Sequence, residues 1–480
     1  MQCKGYWFKG KKNFVLLIHL SKWSGENIFN RNPKINIVVY TISLIPTLYI
    51  LRMFHHPIQT SSITSDWKTQ YYPWLICFSG LLTLVVVNGL TTTSLSVFDK
   101  AFLDEFHWSR EELKVRESIT NGVTLLFIFI SGVIIDKIRV KKMLLFGTLT
   151  LALTLASYSF IHNKFEAYLV HFFLGISMIT AGSVSCIILV SSWFNDKRGL
   201  AIGIVLIGTS LGSAIFSPLN TFLLQDYGWR QAFQILSIFP LIAFFYIYFF
   251  VKNSPSDIGI FALGFNKTTK DISNVDLLKQ GMSYKEARKT HLFWLICLCG
   301  FCTFYSLVGT IANVFLHVVE LGFSVKDASY YLTFYFLIAG LSKLFISLFS
   351  DYLNPYIVFS TCCLLMILGI LGLSSMDKTL ISLSITLLAI SWGGIYSLYN
   401  LIIIKSFGLK EAGKINGTIS MSEGGGAFLG PFLTAKLFNI EGSYQIPFFV
   451  NAALIGFVFI ISIKFKSYVN KLQPTKINSL

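Results

Sequence analysis

The chain is poor in charge. Only 13% of its 480 residues are Asp, Glu, Lys or Arg, against about 25% in soluble domains. That scarcity argues against a water-soluble fold. A content of 54% hydrophobic and 16% aromatic residues and a mean hydropathy of +0.65 point into the bilayer. The net charge of +16 therefore gives no reason to expect a nucleic-acid partner, because excess Lys and Arg in a membrane protein report which loops stay cytoplasmic. A disulfide framework is not expected from the eight cysteines. Cys77, Cys186, Cys297, Cys299, Cys302, Cys362 and Cys363 fall in apolar runs and Cys3 lies at the terminus. The Cys299-x-x-Cys302 pair reads as small hydrophobes in a packed helix. The sequence holds no G-x-x-x-x-G-K-[ST] phosphate loop, and no nucleophile–base pair or metal-ligand cluster at depth. Neither an enzyme nor a cofactor or metal is expected. A secretory signal is not expected either, since no small-residue cleavage site follows the first apolar run.

What is present is long apolar runs. A helix needs roughly 20 apolar residues to cross the hydrocarbon core. Twelve such spans are read, approximately Pro73–Val97, Ser118–Ile135, Met143–Phe160, Glu166–Trp193, Leu200–Leu224, Trp229–Val251, Leu292–Val318, Tyr330–Phe349, Pro355–Ser374, Leu380–Ile404, Ile415–Ala435 and Pro447–Ile463. The sequence thus predicts an all-α polytopic membrane protein with twelve transmembrane helices in two six-helix halves, 71–252 and 292–465. Between them lies a polar central loop, 253–291, and after them a tail, 466–480. The loop ends in an expected short amphipathic helix over Tyr284–His291. On one side of the membrane, loops and span edges hold Lys100, Arg110, Lys114, Arg116, Lys164, Arg230, Lys326, Lys378 and Lys436; the other side holds twenty cations. That asymmetry places both ends of the twelve-span body in the cytoplasm, and a plasma (inner) membrane location is expected. Residues 1–70 form an N-terminal extension open to three readings. Ile35–Leu51 is a thirteenth span, or an interfacial segment, or upstream sequence attached by a wrong start, with Met53 as the true initiator.

Two ionisable groups interrupt these runs. Lys343 lies in Tyr331–Phe349 and Glu423 in Ile415–Ala435. An uncompensated charge at bilayer depth costs roughly 2.5–3.5 kcal/mol on insertion scales, so such groups tend to face a cavity and have a task. Counted at about 1.5 Å per residue from the cytoplasmic helix ends, Lys343 is roughly 12 Å deep and Glu423 roughly 13–14 Å, close to the midplane of a core about 30 Å thick. Lys343 is expected to attract a substrate carboxylate, with Glu423 as the competing, protonatable counter-ion. The alternatives are a zwitterionic substrate using both charges, or a permanent salt bridge that fixes packing. Gly424-Gly425-Gly426 suggests a cavity wall, a hinge or a close helix contact. Weaker candidates for the pathway are Asn88, His171, Asn220, Tyr305, Tyr335, Trp392 and Tyr399. His171 fits a proton relay or a hydrogen-bonded helix contact.

The two halves repeat. Ser192, Trp193, Gly199, Gly203 and Gly212 match Ser406, Phe407, Gly413, Gly417 and Gly426 at an offset of 214, and Asp136 and Asp351 end spans 2 and 8 at an offset of 215. Two six-span halves related in this way describe a secondary transporter with its site between the repeats near the midplane.

After span 2 the chain reads Gly132-Val-Ile-Ile-Asp136-Lys137-Ile-Arg139-Val-Lys141-Lys142. This resembles the G-x-x-x-D-R-x-G-R-K loop of the major facilitator superfamily, with Arg139 in place of the second glycine. The resemblance implies a gating latch at Asp136 and its equivalent Asp351; the basic residues either take part or only enforce topology. Trp108-Ser-Arg110, Trp193-Phe194 through Arg198-Gly199-Leu-Ala201-Ile-Gly203, Gly228-Trp229-Arg230-Gln-Ala232-Phe233 and Pro255-Ser-Asp257-Ile-Gly259 together resemble the monocarboxylate transporter and oxalate/formate antiporter group. That group carries G-R-x-x-x-G-x-x-S-D in span 8, its arginine implicated in holding the substrate carboxylate; here the stretch is Ser342-Lys343 through Ser347 to Ser350-Asp351. Lysine keeps the charge but loses the bidentate fork. Where the oxalate antiporters have a span-11 lysine, eight residues before a proline, this chain has Glu423 before Pro431. A two-cation cradle is missing and oxalate is not expected. The resemblance implies a carrier of a small organic anion, coupled to protons as symport or working by exchange, and acting as a monomer in the lipid bilayer. A carrier of another small solute and a non-transporting ligand sensor remain alternatives.

Overall fold

The computed structural model describes residues 67–137, 139–264, 281–349, 354–408 and 410–472. The readings made on residues 1–66, on Asp351 and on the far end of the tail lie outside the described residues, as do the side chains of Gly132, Asp136 and Lys137. Within that range the chain crosses twelve times, and its named secondary structure is helical.

Span 1 starts as a helix over Trp67–Thr91, tightens into a 3-10 turn over Thr93–Phe98 and ends as Asp99–Phe106. The hydroxyls here explain the change. Thr91 Oγ1 bonds Val87 O at 2.7 Å, Thr92 Oγ1 bonds Asn88 O at 2.5 Å, and Ser94 Oγ bonds Gly89 O. Such back-bonding competes with the helix ladder and bends it. Span 2 is Arg110–Lys137 and span 3 Val140–Tyr158. Span 4 is broken at Gly182 into Lys164–Ala181 and Ser183–Trp193. Span 5 and the start of span 6 share the stretch Arg198–Leu236, interrupted at Gly228 (φ 74°, ψ 164°), a conformation that costs glycine little and other residues much. Ile238–Phe250 completes span 6. The second half holds His291–Glu320, Val325–Phe349, Pro355–Ser374, Ile381–Phe407, Ala412–Glu441 and Gln445–Ile463 as spans 7 to 12. A further helix, Phe465–Leu472, follows, anchored by buried Phe465 and Val469.

The internal repeat reappears in the packing. A Cβ on Gly212 would lie 2.2 Å from Val85 O, and one on Gly426 would lie 2.2 Å from Phe301 O. Span 5 therefore touches span 1, and span 11 touches span 7, at repeat-equivalent glycines that let backbones approach closely. The helix runs unbroken through Gly424-Gly425-Gly426. The two ends of the central loop clip onto equivalent places. Leu263 N donates to Trp193 O at 2.9 Å and Met282 N to Phe407 O at 2.8 Å, with backbone bridges Phe194–Leu263 and Gly281–Gly408. The expected amphipathic segment after the loop is a single turn, Tyr284–Ala287, whose Tyr284 N donates to Glu411 Oε2 at 2.6 Å.

Across the halves, span 2 packs on span 11 and span 5 on span 8. At the end away from the central loop the halves are tied together. Arg110 donates to Glu320 Oε1 at 3.0 Å and to Tyr444 Oη at 2.8 Å, and sits 4.0 Å from the Phe438 ring centroid. Lys436 approaches Glu111 at 3.9 Å. At the central-loop end, Cβ atoms placed on Gly199, Gly203 and Gly413 would meet open space.

Candidate functional site

Between the halves lies a cavity of about 400 Å³. Spans 1, 2, 4 and 5 wall it from the first half and spans 7, 8, 10 and 11 from the second. Lys343 and Glu423, on different helices, both line it. Lys343 Nζ donates to Thr209 Oγ1 and Ser210 Oγ, each at 2.9 Å, so the cation of span 8 reaches across to span 5. Two rings of span 10 hold it from the other side: Nζ is 4.7 Å from the Tyr396 centroid and 5.7 Å from that of Trp392. Aromatic faces attract a cation at these distances. Among the ion pairs of the described residues, Lys343 and Glu423 are not joined to each other. The salt bridge left open by the sequence is thus not the arrangement seen. Glu423 sits in the glycine-flanked stretch of span 11, beside Ser420 and Gly424, which also line the cavity.

The remaining candidates divide. Asn88, Tyr335 and Trp392 line the cavity. Asn88 is 8% exposed, and its Nδ2 has no hydrogen-bond partner among the described residues. The other four are placed in helix contacts. Asn220 Nδ2 donates to Ser94 O at 2.9 Å and holds the 3-10 turn of span 1. Tyr399 Oη bonds Ile296 O. Tyr305 stacks on Phe301, in the close contact made by Gly426. His171 is buried between Thr120 Oγ1 at 2.8 Å and Tyr158 Oη at 3.0 Å. Of the gating loops, Lys141 N donates to Asn253 Oδ1 at 2.9 Å and its Nζ to Tyr248 O at 2.7 Å, while Arg198 Nε donates to Phe194 O at 2.8 Å. Arg139 acts electrostatically on Asp257. Burial pushes the Asp257 carboxyl up, but Ser254, Asn253 and Arg139 outweigh it and hold that carboxyl below its usual range. Lys142 N donates to Arg139 O at 2.9 Å.

Sequence reasoning missed a second charged feature. Lys114 and Arg116, counted above as loop-edge cations, are buried inside the first half. Both donate to Asp99, Lys114 at 2.6 Å. Lys114 also reaches Glu117 Oε1 at 2.5 Å, and Glu117 lines the cavity. The pattern was hidden because Arg110–Glu117 is dense in charge and reads as a loop, although Lys114 and Glu117 are one helical turn apart. Thr209, Ser210 and Tyr396 carried no signal, since hydroxyls and rings are abundant throughout the chain.

The model of the Major Facilitator Superfamily matches residues 81–431 and 296–479. Riboflavin transporter RibJ of Trypanosoma brucei brucei is 31% identical over 179 residues, covering 35% of this chain and 31% of that protein; the chain thus spans about a third of this curated relative's length. Human monocarboxylate transporter 2 is 21% identical over 376 residues, covering 75% of this chain and 79% of that protein. A crystal structure of a bacterial homolog to the human lysosomal transporter Spinster, in an inward-facing and occupied conformation, superposes with a TM-score of 0.62 at 12% identity, covering 85% of this chain and 98% of that one. At that identity the likeness speaks for the fold alone.

Proposed function

This chain belongs to the Major Facilitator Superfamily and is an integral membrane protein; from that premise we propose that it is a secondary transporter moving a small organic anion by alternating access. The observation that carries the reading is Lys343, a cation at the wall of the cavity between the halves, positioned by Thr209 and Ser210 of the opposite half. An incoming carboxylate competes with those hydroxyls for the ammonium and takes a charge-assisted bond in their place. The orphan amide of Asn88 supplies a further donor. Because Lys343 belongs to one half and its hydroxyl partners to the other, filling the site rearranges a contact between the halves, which couples binding to rocking. Glu423 shares the cavity and accepts the coupling proton, leaving Lys343 the stronger attractor for the anion. The central-loop end is cytoplasmic, Asp136 and Asp351 latch that side, and the protein works as a monomer in the plasma membrane. The ties at Arg110 and Lys436 close the outer face, so this arrangement faces inward.

A second reading follows from size. About 400 Å³ lies in the 300–1,000 Å³ range of pockets for drug-sized ligands, and Phe304, Trp392 and Tyr396 offer ring faces. A flat, hydrogen-bonding solute such as riboflavin, carried by the relative named above, fits that lining. Counterflow of labelled pyruvate, riboflavin and amino acids in liposomes containing the full chain separates the readings. Pyruvate exchange supports the anion carrier, riboflavin exchange alone the flat-solute carrier and amino-acid exchange alone the zwitterion carrier, while exchange of none of these contradicts all three.

A further inference from the structure

Three charged side chains, Asp99, Lys114 and Arg116, are buried in the first half beside the partly exposed Glu117, and the proposed mechanism uses none of the four. Asp99 is fully buried and accepts from both Lys114 and Arg116. Arg116 continues through Nη1 to Tyr158 Oη at 2.9 Å, then to His171 Nε2 at 3.0 Å, and His171 Nδ1 meets Thr120 Oγ1 at 2.8 Å. Glu117 closes the set through Lys114 and receives Ser96 Oγ at 3.4 Å. Two cations and two carboxylates balance. The charged groups acting on Glu117 are Lys114, Asp99 and Arg116; Lys343 and Glu423 share its cavity from the other half.

The two carboxylates are not equivalent. Asp99 is sealed and holds both cations, so protonating it would weaken both contacts and leave buried Arg116 with no carboxylate partner. Glu117 holds only Lys114, its side chain is 15% exposed, and both it and Thr120 line the cavity. A proton arriving from cavity water can reach Glu117 and leave Lys114 still bonded to Asp99. The buried set then carries one net positive charge beside the cavity, which an anion in the cavity offsets. We propose that Glu117 is a second proton-binding site of the transport cycle, built into the first half, whose protonation makes the N-terminal wall of the cavity attractive to an anionic solute.

This rests on the anion-carrier reading for its role, though not for its chemistry, and the test separates the two. Full-length protein in liposomes is titrated by infrared difference spectroscopy from neutral to acid pH, as wild type, Glu117→Gln, Glu117→Asp and Glu423→Gln. In parallel, pyruvate counterflow is followed over the same pH range. The expected result is a carboxyl band that titrates in the wild type and in Glu423→Gln, is lost in Glu117→Gln and returns shifted in Glu117→Asp. Exchange that rises on acidification in the wild type rises less steeply in Glu117→Gln, where Glu423 alone is left to take the proton, and regains a shifted second step in Glu117→Asp. A band unchanged in Glu117→Gln overturns the proposal, and so does a lost band with an unaltered pH profile of exchange. A titrating Glu117 band with no pyruvate exchange in any protein upholds the proton site and refutes the monocarboxylate reading instead.

Discussion

Replacing Asp99 by Asn isolates the energetics of the buried tetrad. The carboxylate has no exposed surface and is bonded by Lys114 at 2.6 Å and by Arg116. At an effective dielectric near 20, two unit charges about 4 Å apart interact by about 4 kcal/mol, and removing one partner of a buried pair typically costs about 3–5 kcal/mol, because the other charge stays desolvated. Asp99→Asn loses two such contacts but keeps the Lys114–Glu117 pair, which leaves one uncompensated positive charge. The expected destabilisation is therefore about 3–5 kcal/mol, read as a large drop in the thermal unfolding temperature of detergent-solubilised protein followed by tryptophan fluorescence. Adding Lys114→Met to Asp99→Asn leaves Arg116 and Glu117 as the remaining opposite charges and should recover a substantial part of the loss. If Asp99→Asn unfolds with the wild type, or if the double variant is worse than the sum of the singles, the tetrad is not the charge-balanced unit described here.

Three further predictions follow from local geometry. Trp392 lies against Lys343 in the cavity wall, so its fluorescence should change on titration with a transported solute, and the change should vanish in Trp392→Phe; a signal that persists unaltered would mean that the solute binds elsewhere. Arg110→Ala removes the contacts to Phe438, Tyr444 and Glu320. A cation–π loss of about 1–2 kcal/mol should raise labelling of a cysteine placed at Ser213 from the face opposite the central loop by about 5- to 30-fold, and an unchanged rate would refute the outer tie. Gly212→Ala and Gly426→Ala each drive a methyl group into a backbone carbonyl and should destabilise by about 1–3 kcal/mol. Gly203→Ala meets open space and should instead gain up to about 1 kcal/mol; equal effects at all three positions would contradict the packing described.

The crossing helices were legible because each carries a hydropathic run, and Lys343 and Glu423 because a lone charge in such a run stands out. Their meeting in one cavity follows from their similar depth in the second half. Glu117 was not legible for the opposite reason. It stands beside Arg110, Glu111, Glu112, Lys114 and Arg116, and a dense cluster reads as solvated. Only the fold shows that Lys114 and Arg116 turn inward onto Asp99 while Arg110 turns outward to Glu320. The helix break at Gly182 was likewise hidden, because a glycine inside an apolar run is more often a packing contact, as Gly212 is, than a break; the break at Gly228 falls between the expected spans 5 and 6. His171 admitted two readings from sequence; its hydroxyl partners on spans 2 and 3 place it in a helix contact that also continues the tetrad.

The claim on which the account rests is that Lys343 anchors a transported anion. Its most direct test is accumulation of labelled pyruvate in liposomes under an inward acid gradient, comparing wild type with Lys343→Ala and Lys343→Arg. Loss of a charge-assisted bond of about 1.5–3 kcal/mol predicts that Lys343→Ala weakens apparent affinity by at least about tenfold, and that Lys343→Arg, which keeps the charge, retains part of it. Acid-driven accumulation that is indifferent to Lys343 would contradict the account and make the residue a tie between the halves.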